Sequence, residues 1–450
     1  MAFNSNFVST PNNKLQLTNL RWGHDEKSQL HRNPFSKDRD RILYSKSFLR
    51  LRGKTQVFML QRNDYIRTRL THSLEVNQLA KSIASALGQN MDLVEAIALG
   101  HDVGHTPFGH VGERELKKLI SDDIKIPDGE KGFKHNLQAL RLFCTLEKGA
   151  DFPQYDGLNL TKYTLWGIAH HSSINYKVDA TGNPVQPLET DHPIYDAYLN
   201  AIKDYWSFEG YIVGLADEIA QRHHDIEDGL RYGMINREEL LAQIEKFLPC
   251  FGLEEKACFT RLKKEQKILE EPVFNSLFSR LVINMYITDV VNNTKSNFKQ
   301  FEDKYEINTQ MNFQEIRPTL HRSDYEDCVA LSPKLHTLDV EFQKFLKTRI
   351  LMSYQAQAMD GKAEYIIRKL YDALRDNPYQ LPDTSIFSYA RLAGINTHER
   401  AEVLEEIHGR RDKKDDTNEN VLRRCIVDYI GGMTDQYAYN EFDRLYGTKV

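Results

Sequence analysis

Residues 91–120 read MDLVEAIALGHDVGHTPFGHVGERELKKLI, and the two halves of this stretch behave differently. In the first half Leu93 and Ile97 recur at a spacing of four. That predicts a helix starting near Asn90–Met91 and delivering His101 and Asp102 at its end. Gly104 breaks it. Thr106-Pro107 then reads as an N-cap followed by proline at the first helical position, with a second helix running through VGERELKKLI. On the N-terminal side, HSLEVNQLAKSIASALG suggests one buried stripe of Leu70, Leu74, Leu79, Ile83 and Leu87, with Gly88 as the left-handed stop. On the C-terminal side, YIVGLADEIAQRHHDIEDGL, from about Gly210, brings Asp217, Gln221, Asp225 and Asp228 close to one helix face. Alternating strands are few, so the expected class is all-α. The exception is VDATGNPVQPLETDHPIYD (Val178–Asp196), a loop or short hairpin. No period of 20 to 50 residues recurs, which excludes a solenoid.

The chain has 450 residues, enough to bury a large core without staples. Lys and Arg number 59 against 64 Asp and Glu, a net charge of -5 that argues against a bulk nucleic-acid coat. No apolar run reaches the ~18–20 residues of a membrane span, and the opening MAFNSNFVST has no signal-peptide core. Five cysteines (Cys144, Cys250, Cys258, Cys328 and Cys425) are odd in number and form no C-x2-C pair, which fits thiols in a reducing cytoplasm. Residues 1–37 read as a loose N-terminal arm, 38–230 as a core with an insertion near 176–196, and 231–450 as a helical region completing the pocket and oligomer interfaces. HGRRDKKDDTNEN (His408–Asn420) reads as a mobile surface loop.

Histidine is unevenly placed: five of the 16 (His72, His101, His105, His110 and His135) fall between positions 72 and 135, and His170-His171 follow. Successive helices can each aim one or two of them into a shared cleft. His72, His101, Asp102 and Asp217 make an N2O2 donor set suited to a divalent ion such as Mn, Fe, Zn, Ni, Co or Mg, with positions left for water and substrate oxygen. Taken singly, any one of these is more often a packed or surface residue; the four together carry the argument. His110 and Glu113, at i and i+3, share a helix face, so the carboxylate can hold the imidazole and raise its pKa. His105 lies in the preceding turn, where imidazole and free backbone N–H groups can meet an anion.

These residues resemble the HD-domain superfamily, and more narrowly the deoxynucleoside triphosphate triphosphohydrolases (dGTPase-like). The resemblance rests on RTRLTHSLEV (Arg67–Val76), GHDVGHTPFGHVGE (Gly100–Glu113) and LADEIAQRHHDIED (Leu215–Asp228). Two outlying blocks extend it over most of the chain: DRDRILYSKSFLRLRGKTQVF (Asp38–Phe58) and VDYIGGMTDQYA (Val427–Ala438). It implies an HD-type helical core with His72, His101, Asp102 and Asp217 as the metal quartet and Arg69 directed at phosphate. His105, His110, Glu113 and His135 match second-layer and catalytic positions, His110 being the favoured proton donor. Gln56 and Val57 match positions against the deoxyribose, Arg50 and Arg52 face substrate or a neighbouring subunit, and Asp225 matches a further pocket acid. The chain departs from the pattern at Gln221, where the family commonly carries tyrosine, and at His170-His171, where some relatives place Lys-Tyr.

The implied reaction cleaves a dNTP, dGTP favoured, into deoxynucleoside and inorganic triphosphate. The ion polarises the α-phosphoryl group and His110 protonates the leaving 5′-oxygen. A wall near Gln56–Val57 that leaves a 2′-hydroxyl unpaired costs ~1–3 kcal/mol, roughly 10- to 150-fold discrimination. The resemblance also implies a homo-oligomer built on a dimer (tetramer or hexamer), room for an allosteric nucleotide, and in some relatives a response to single-stranded DNA. Residues 1–30 with Arg39, Arg41, Arg50 and Arg52 are the interface candidates; the plainer reading pairs those arginines with Asp38 and Asp40. Two other functions fit the quartet: a phosphohydrolase of monophosphates, cyclic dinucleotides or alarmones, and a nucleic-acid-binding regulator that retains the pocket.

Overall fold

The computed structural model describes residues 6–7, 9, 20–23, 32–56, 67–123, 133–148, 156–172, 176–178, 184–187, 193–397, 399–413 and 416–447. It is an all-α structure. Its one sheet among the described residues is the antiparallel pair Tyr176–Val178 and Pro184–Pro187, which resolves the insertion as a hairpin.

The Met91–Gly100 helix is the centre of the larger core. Asn90 caps it by accepting from the Asp92 and Leu93 amides, and Leu93, Val94, Ala96, Ile97, Ala98 and Leu99 are all buried. Around it pack the helices Pro34–Leu43, Arg69–Ala86, Lys162–His170 and Phe208–Arg231. Only Met91, Asp92 and Glu95 of this helix are not buried, so its C-terminal His101-Asp102 emerges within the protein. The Arg69–Ala86 helix opens on a Thr68/Thr71 capping box, and beyond it Gly88 adopts φ +64° as expected. Its buried face differs from the expected stripe: Arg69, His72, Ser73, Val76, Leu79, Ala80 and Ile83 point inward while Leu74 is 50% exposed. At 100° per residue Leu74 lies about 140° round the helix from Leu79, so the five aliphatics never shared one face.

A second core joins the Gly109–Asp123 helix to Tyr354–Asp376 and to the C-terminal helices Asp383–Leu392, Arg400–Asp412, Asp416–Gly431 and Asp435–Tyr446. Pro107 does not open the Gly109–Asp123 helix. Phe108 (φ 63°) and Gly109 (φ 61°) take left-handed conformations first, and Thr106 Oγ1 donates to the Gly109 carbonyl across that turn. The polar stretch His408–Asn420 is also not a loop where described: it ends one helix and begins the next, tied by Arg411 Nε to Glu419 at 3.0 Å.

The arm is anchored where it is described. Phe7 is buried among Phe208, Phe298, Phe301 and Phe313 with ring centroids 4.8–5.6 Å away, and Ser9 donates twice to the buried Glu209 carboxylate. Arg21 pairs with Asp38 at 3.0 Å and bridges to Thr161. Arg39 pairs with Asp40 and Glu95, and Arg41 donates to the Asn159 carbonyl. Of the arginines offered as interface candidates, Arg39 and Arg41 thus have intramolecular partners. No helix among the described residues is long and apolar enough to cross a membrane.

Candidate active site

Three helices deliver the quartet. His72 stands in the first turn of Arg69–Ala86, His101-Asp102 at the end of Met91–Gly100, and Asp217 midway along Phe208–Arg231. His72 Nε2 lies 2.8 Å from Asp217 Oδ1 and 3.9 Å from Asp102 Oδ2. His101 Nε2 lies 3.4 Å from Asp102 Oδ1 and 3.7 Å from Asp217 Oδ1. His101 Nδ1 donates to the Ala98 carbonyl at 2.7 Å, which fixes the tautomer and leaves Nε2 as a lone pair. That buried Nε2 has no hydrogen-bond partner, the signature expected of a ligand atom awaiting a cation. The donor set and this orphaned atom together fit a divalent ion. Burial opposes charge on Asp102, but His101, Arg69 and His105 outweigh it and hold the carboxyl well below its usual range. Burial likewise opposes charge on His72, and the Asp217 bond wins, raising the imidazole.

Beside the quartet lies a cleft of about 380 Å³. Gln56, Arg69, His105, His110, His135, His170, His171 and Gln221 of the expected site line it, along with the metal-side His72, Asp102 and Asp217. Arg69 is 2% exposed, spends Nη1 on Asp102 at 2.9 Å, and keeps Nε and Nη2 unpaired. A Cβ on Gly109 would come within 3.0 Å of that Nη2, so glycine in the φ +61° turn keeps the guanidinium edge open. Gly104 serves a different need: a Cβ there would meet the His135 carbonyl at 1.9 Å. Its absence lets the His135–Arg141 helix lie directly on the turn after Asp102.

The imidazoles are arranged in depth. His105 Nε2 donates to Asp102 Oδ1 at 3.0 Å, its ring stacks on His135 at 3.8 Å, and its Nδ1 is unpaired. Burial and the Arg69 charge hold His105 well below its usual pKa. Glu113 differs from expectation. Its hydrogen bond goes to His135 Nδ1 at 2.9 Å, while His110 Nδ1 lies 3.6 Å away with its side chain 57% exposed. His171 commits Nδ1 to the Ile168 carbonyl, so its Nε2 can only accept from His135 Nε2, 3.3 Å away. His135 thus bridges Glu113 and His171. Burial pushes His170 and His171 down to about 3, leaving neutral rings on the cleft wall.

Three expected substrate contacts are elsewhere, and one lies outside the described residues. Arg50 and Arg52 are exposed and do not line the cleft; Arg50 borders a separate cavity with Arg391 and Tyr429. Asp225 is also absent from the lining. Eight residues beyond Asp217 it has rotated about 80° round the helix, and burial with Asp228 nearby pushes its carboxyl up to about 7. Val57 is the undescribed one. Sequence reasoning missed Ser172, Tyr211, Glu218 and Arg322 in the lining; Arg322 arrives from over 100 residues away with no motif to mark it.

The GMTDQYA tail has a structural task. Asp435 Oδ1 accepts from the Phe108 amide at 2.9 Å, and Oδ2 accepts from the Thr55 amide at 3.0 Å and from its hydroxyl. Buried Lys54 donates to the carbonyls of His105 and Gly431. One C-terminal segment thereby pins both the Gln56 edge and the turn carrying His105 and His110.

Residues 69–175 match the HD domain family, and residues 329–401 and 390–444 match the phosphohydrolase-associated domain. With the helical core and the His/Asp cleft, this places the chain in the class of metal-dependent HD-domain phosphohydrolases. The HD match holds His72, His101 and Asp102 but stops short of Asp217. A deoxyguanosinetriphosphate triphosphohydrolase-like protein of Cereibacter sphaeroides is 33% identical over 427 residues, 94% of this chain and 95% of that one. Like-named proteins of Wolinella succinogenes (34% identical; 92% of this chain, 96% of that one) and Geobacter metallireducens (33%; 92% and 89%) match similarly. The chain belongs to the deoxyguanosinetriphosphate triphosphohydrolase-like family.

Proposed function

We propose that this hydrolase acts on deoxynucleoside triphosphates, dGTP favoured, releasing deoxynucleoside and inorganic triphosphate. The observation that carries the reading is the buried Arg69 with two unpaired donors opening on the cleft beside the His101 lone pair. A polyphosphate monoester is the ligand class that satisfies both at once: its oxygens accept from Arg69 and approach a cation held by His72, His101, Asp102 and Asp217. The relatives' names agree with that substrate class.

In this reading a divalent ion at the quartet supplies Lewis acidity toward a phosphoryl oxygen. Arg69 holds the phosphate chain against its own charge. His110, exposed to the cleft with Glu113 3.6 Å behind it, reaches the leaving 5′-oxygen and delivers a proton. Glu113 stays ionised, because His135 and its neighbours hold it well below its usual range against the effect of burial. Gln56, whose buried Oε1 lacks a partner, stands on the sugar side, and Gln221 takes the place of a stacking tyrosine.

The test incubates the Mn(II)-loaded protein with each dNTP singly and in pairs, with GTP as comparison, and resolves products by chromatography. Deoxynucleoside with tripolyphosphate is expected, and GTP turned over at least 10-fold less well, as an unpaired hydroxyl implies. Pyrophosphate, monophosphate release or equal kcat/KM for GTP overturns the assignment. Activity only in mixtures adds a second nucleotide site.

A further inference from the structure

We propose that Glu75 and His224 form a positioning relay that holds His72 by its Nδ1 proton and so presents the Nε2 lone pair to the ion; the inference rests on the metal site proposed above. Glu75 lies one turn after His72 on the Arg69–Ala86 helix, and His224 two turns after Asp217 on Phe208–Arg231. His224 Nε2 is 2.6 Å from Glu75 Oε2, and His224 Nδ1 is 3.2 Å from His72 Nδ1. The second Glu75 oxygen takes His223 Nδ1 at 2.5 Å, so the carboxylate is held at both ends.

The proton order follows from chemistry. An ionised carboxylate only accepts, so His224 carries its proton on Nε2. In that tautomer His224 Nδ1 accepts, and His72 donates to it from its own Nδ1, 3.2 Å away. His72 held in this way turns Nε2 toward Asp217 and Asp102, the side on which the ion would sit. The Glu75, His223 and His224 atoms also lie close enough together to hold an ion themselves. They differ from the quartet, in which the buried His101 Nε2 has no partner, in that both Glu75 oxygens are taken by imidazole nitrogens.

The experiment is a Mn(II) titration of the full-length, metal-stripped chain, reading free Mn(II) by electron paramagnetic resonance without substrate. Outer-shell partners of ligating histidines typically change metal affinity 10- to 100-fold. His224→Phe is expected to weaken binding by about that factor with the number of sites unchanged. Glu75→Gln weakens it less, because the amide oxygen still accepts, and the double variant is no weaker than His224→Phe, since the two act in series. Wild-type affinity in folded His224→Phe overturns the relay; should that variant not fold, the same result in Glu75→Gln does so. Loss of one of two bound ions also overturns it, since the cluster would then be a site in its own right. Asp217→Asn in the same titration separates the premises. If it too leaves binding untouched, the metal-site reading fails; if it alone abolishes binding, only the relay fails.

Discussion

Two histidine–carboxylate clusters share the Arg69–Ala86 and Phe208–Arg231 helices, and they differ in what they leave unbonded. In the closed cluster each Glu75 oxygen receives an imidazole N–H and His223 reaches on to Ser279 at 2.8 Å. In the open one, His101 Nε2, His105 Nδ1 and two Arg69 nitrogens are buried with no partner. An unmet buried polar group costs about 1–3 kcal/mol, so several at one spot are tolerated only where a ligand completes them. The residue types are the same in both places; the unsatisfied atoms tell site from scaffold.

The largest effect expected from that contrast is catalytic. His101→Gln removes a ligand held by no other bond on its metal side, and a bound ion supplies several kcal/mol of transition-state stabilisation. Hydrolysis should fall by roughly 10³-fold or more. The far-UV spectrum of the ion-free protein should stay unchanged, because the closed cluster still braces the two helices. Retained turnover with normal metal content would put the reacting ion elsewhere. Next in size is His110→Ala. General acids contribute roughly 10²–10⁴-fold, and a ring 57% exposed contributes little to packing. A fall in plateau kcat of that order without a change in melting temperature is expected; intact kcat moves the proton to His135, which holds the shorter bond to Glu113.

The convergence of His72, His101, Asp102 and Asp217 was legible in the sequence because each residue sits at a marked place on a patterned helix: His101-Asp102 ends an apolar run, His72 follows a cap, Asp217 interrupts an aliphatic face. The partner of Glu113 was not. Spacing of three sees His110, whereas His135 comes from another helix brought in by the Gly104 contact. Phe7 looked like part of a polar arm because its partners, Phe298 to Phe313, lie some 300 residues away. Asp225 does not line the cleft, since i+8 on a straight helix drifts about 80° from the starting face. Local period reads which face an element buries; it cannot read which distant side chain arrives there.

The smallest effect is the most direct test of the closed cluster as scaffold. His223 is pushed up to about 9: burial opposes its charge, but the bonds to Glu227 and Glu75 outweigh it. Glu75 is pushed below its usual range, its bonds to His223 and His224 prevailing over burial. The signs then set a window. A raised histidine stabilises fully below its unfolded value near 6.5 and loses that contribution as pH climbs through 9. A depressed carboxyl stabilises above about 4.5 and loses its contribution only in strong acid. The pair is therefore at full strength between about pH 5 and 6.5. Glu75→Gln should lower stability there by roughly 1–3 kcal/mol, with Glu227, 3.3 Å from His223, retaining part of the charge interaction. Thermal unfolding of the ion-free protein at pH 6, 8 and 9.5 should show the gap between wild type and variant narrowing toward the alkaline end. A gap independent of pH means that Glu75 contributes shape and hydrogen bonding, and that the contrast with the open cluster is one of packing instead of charge.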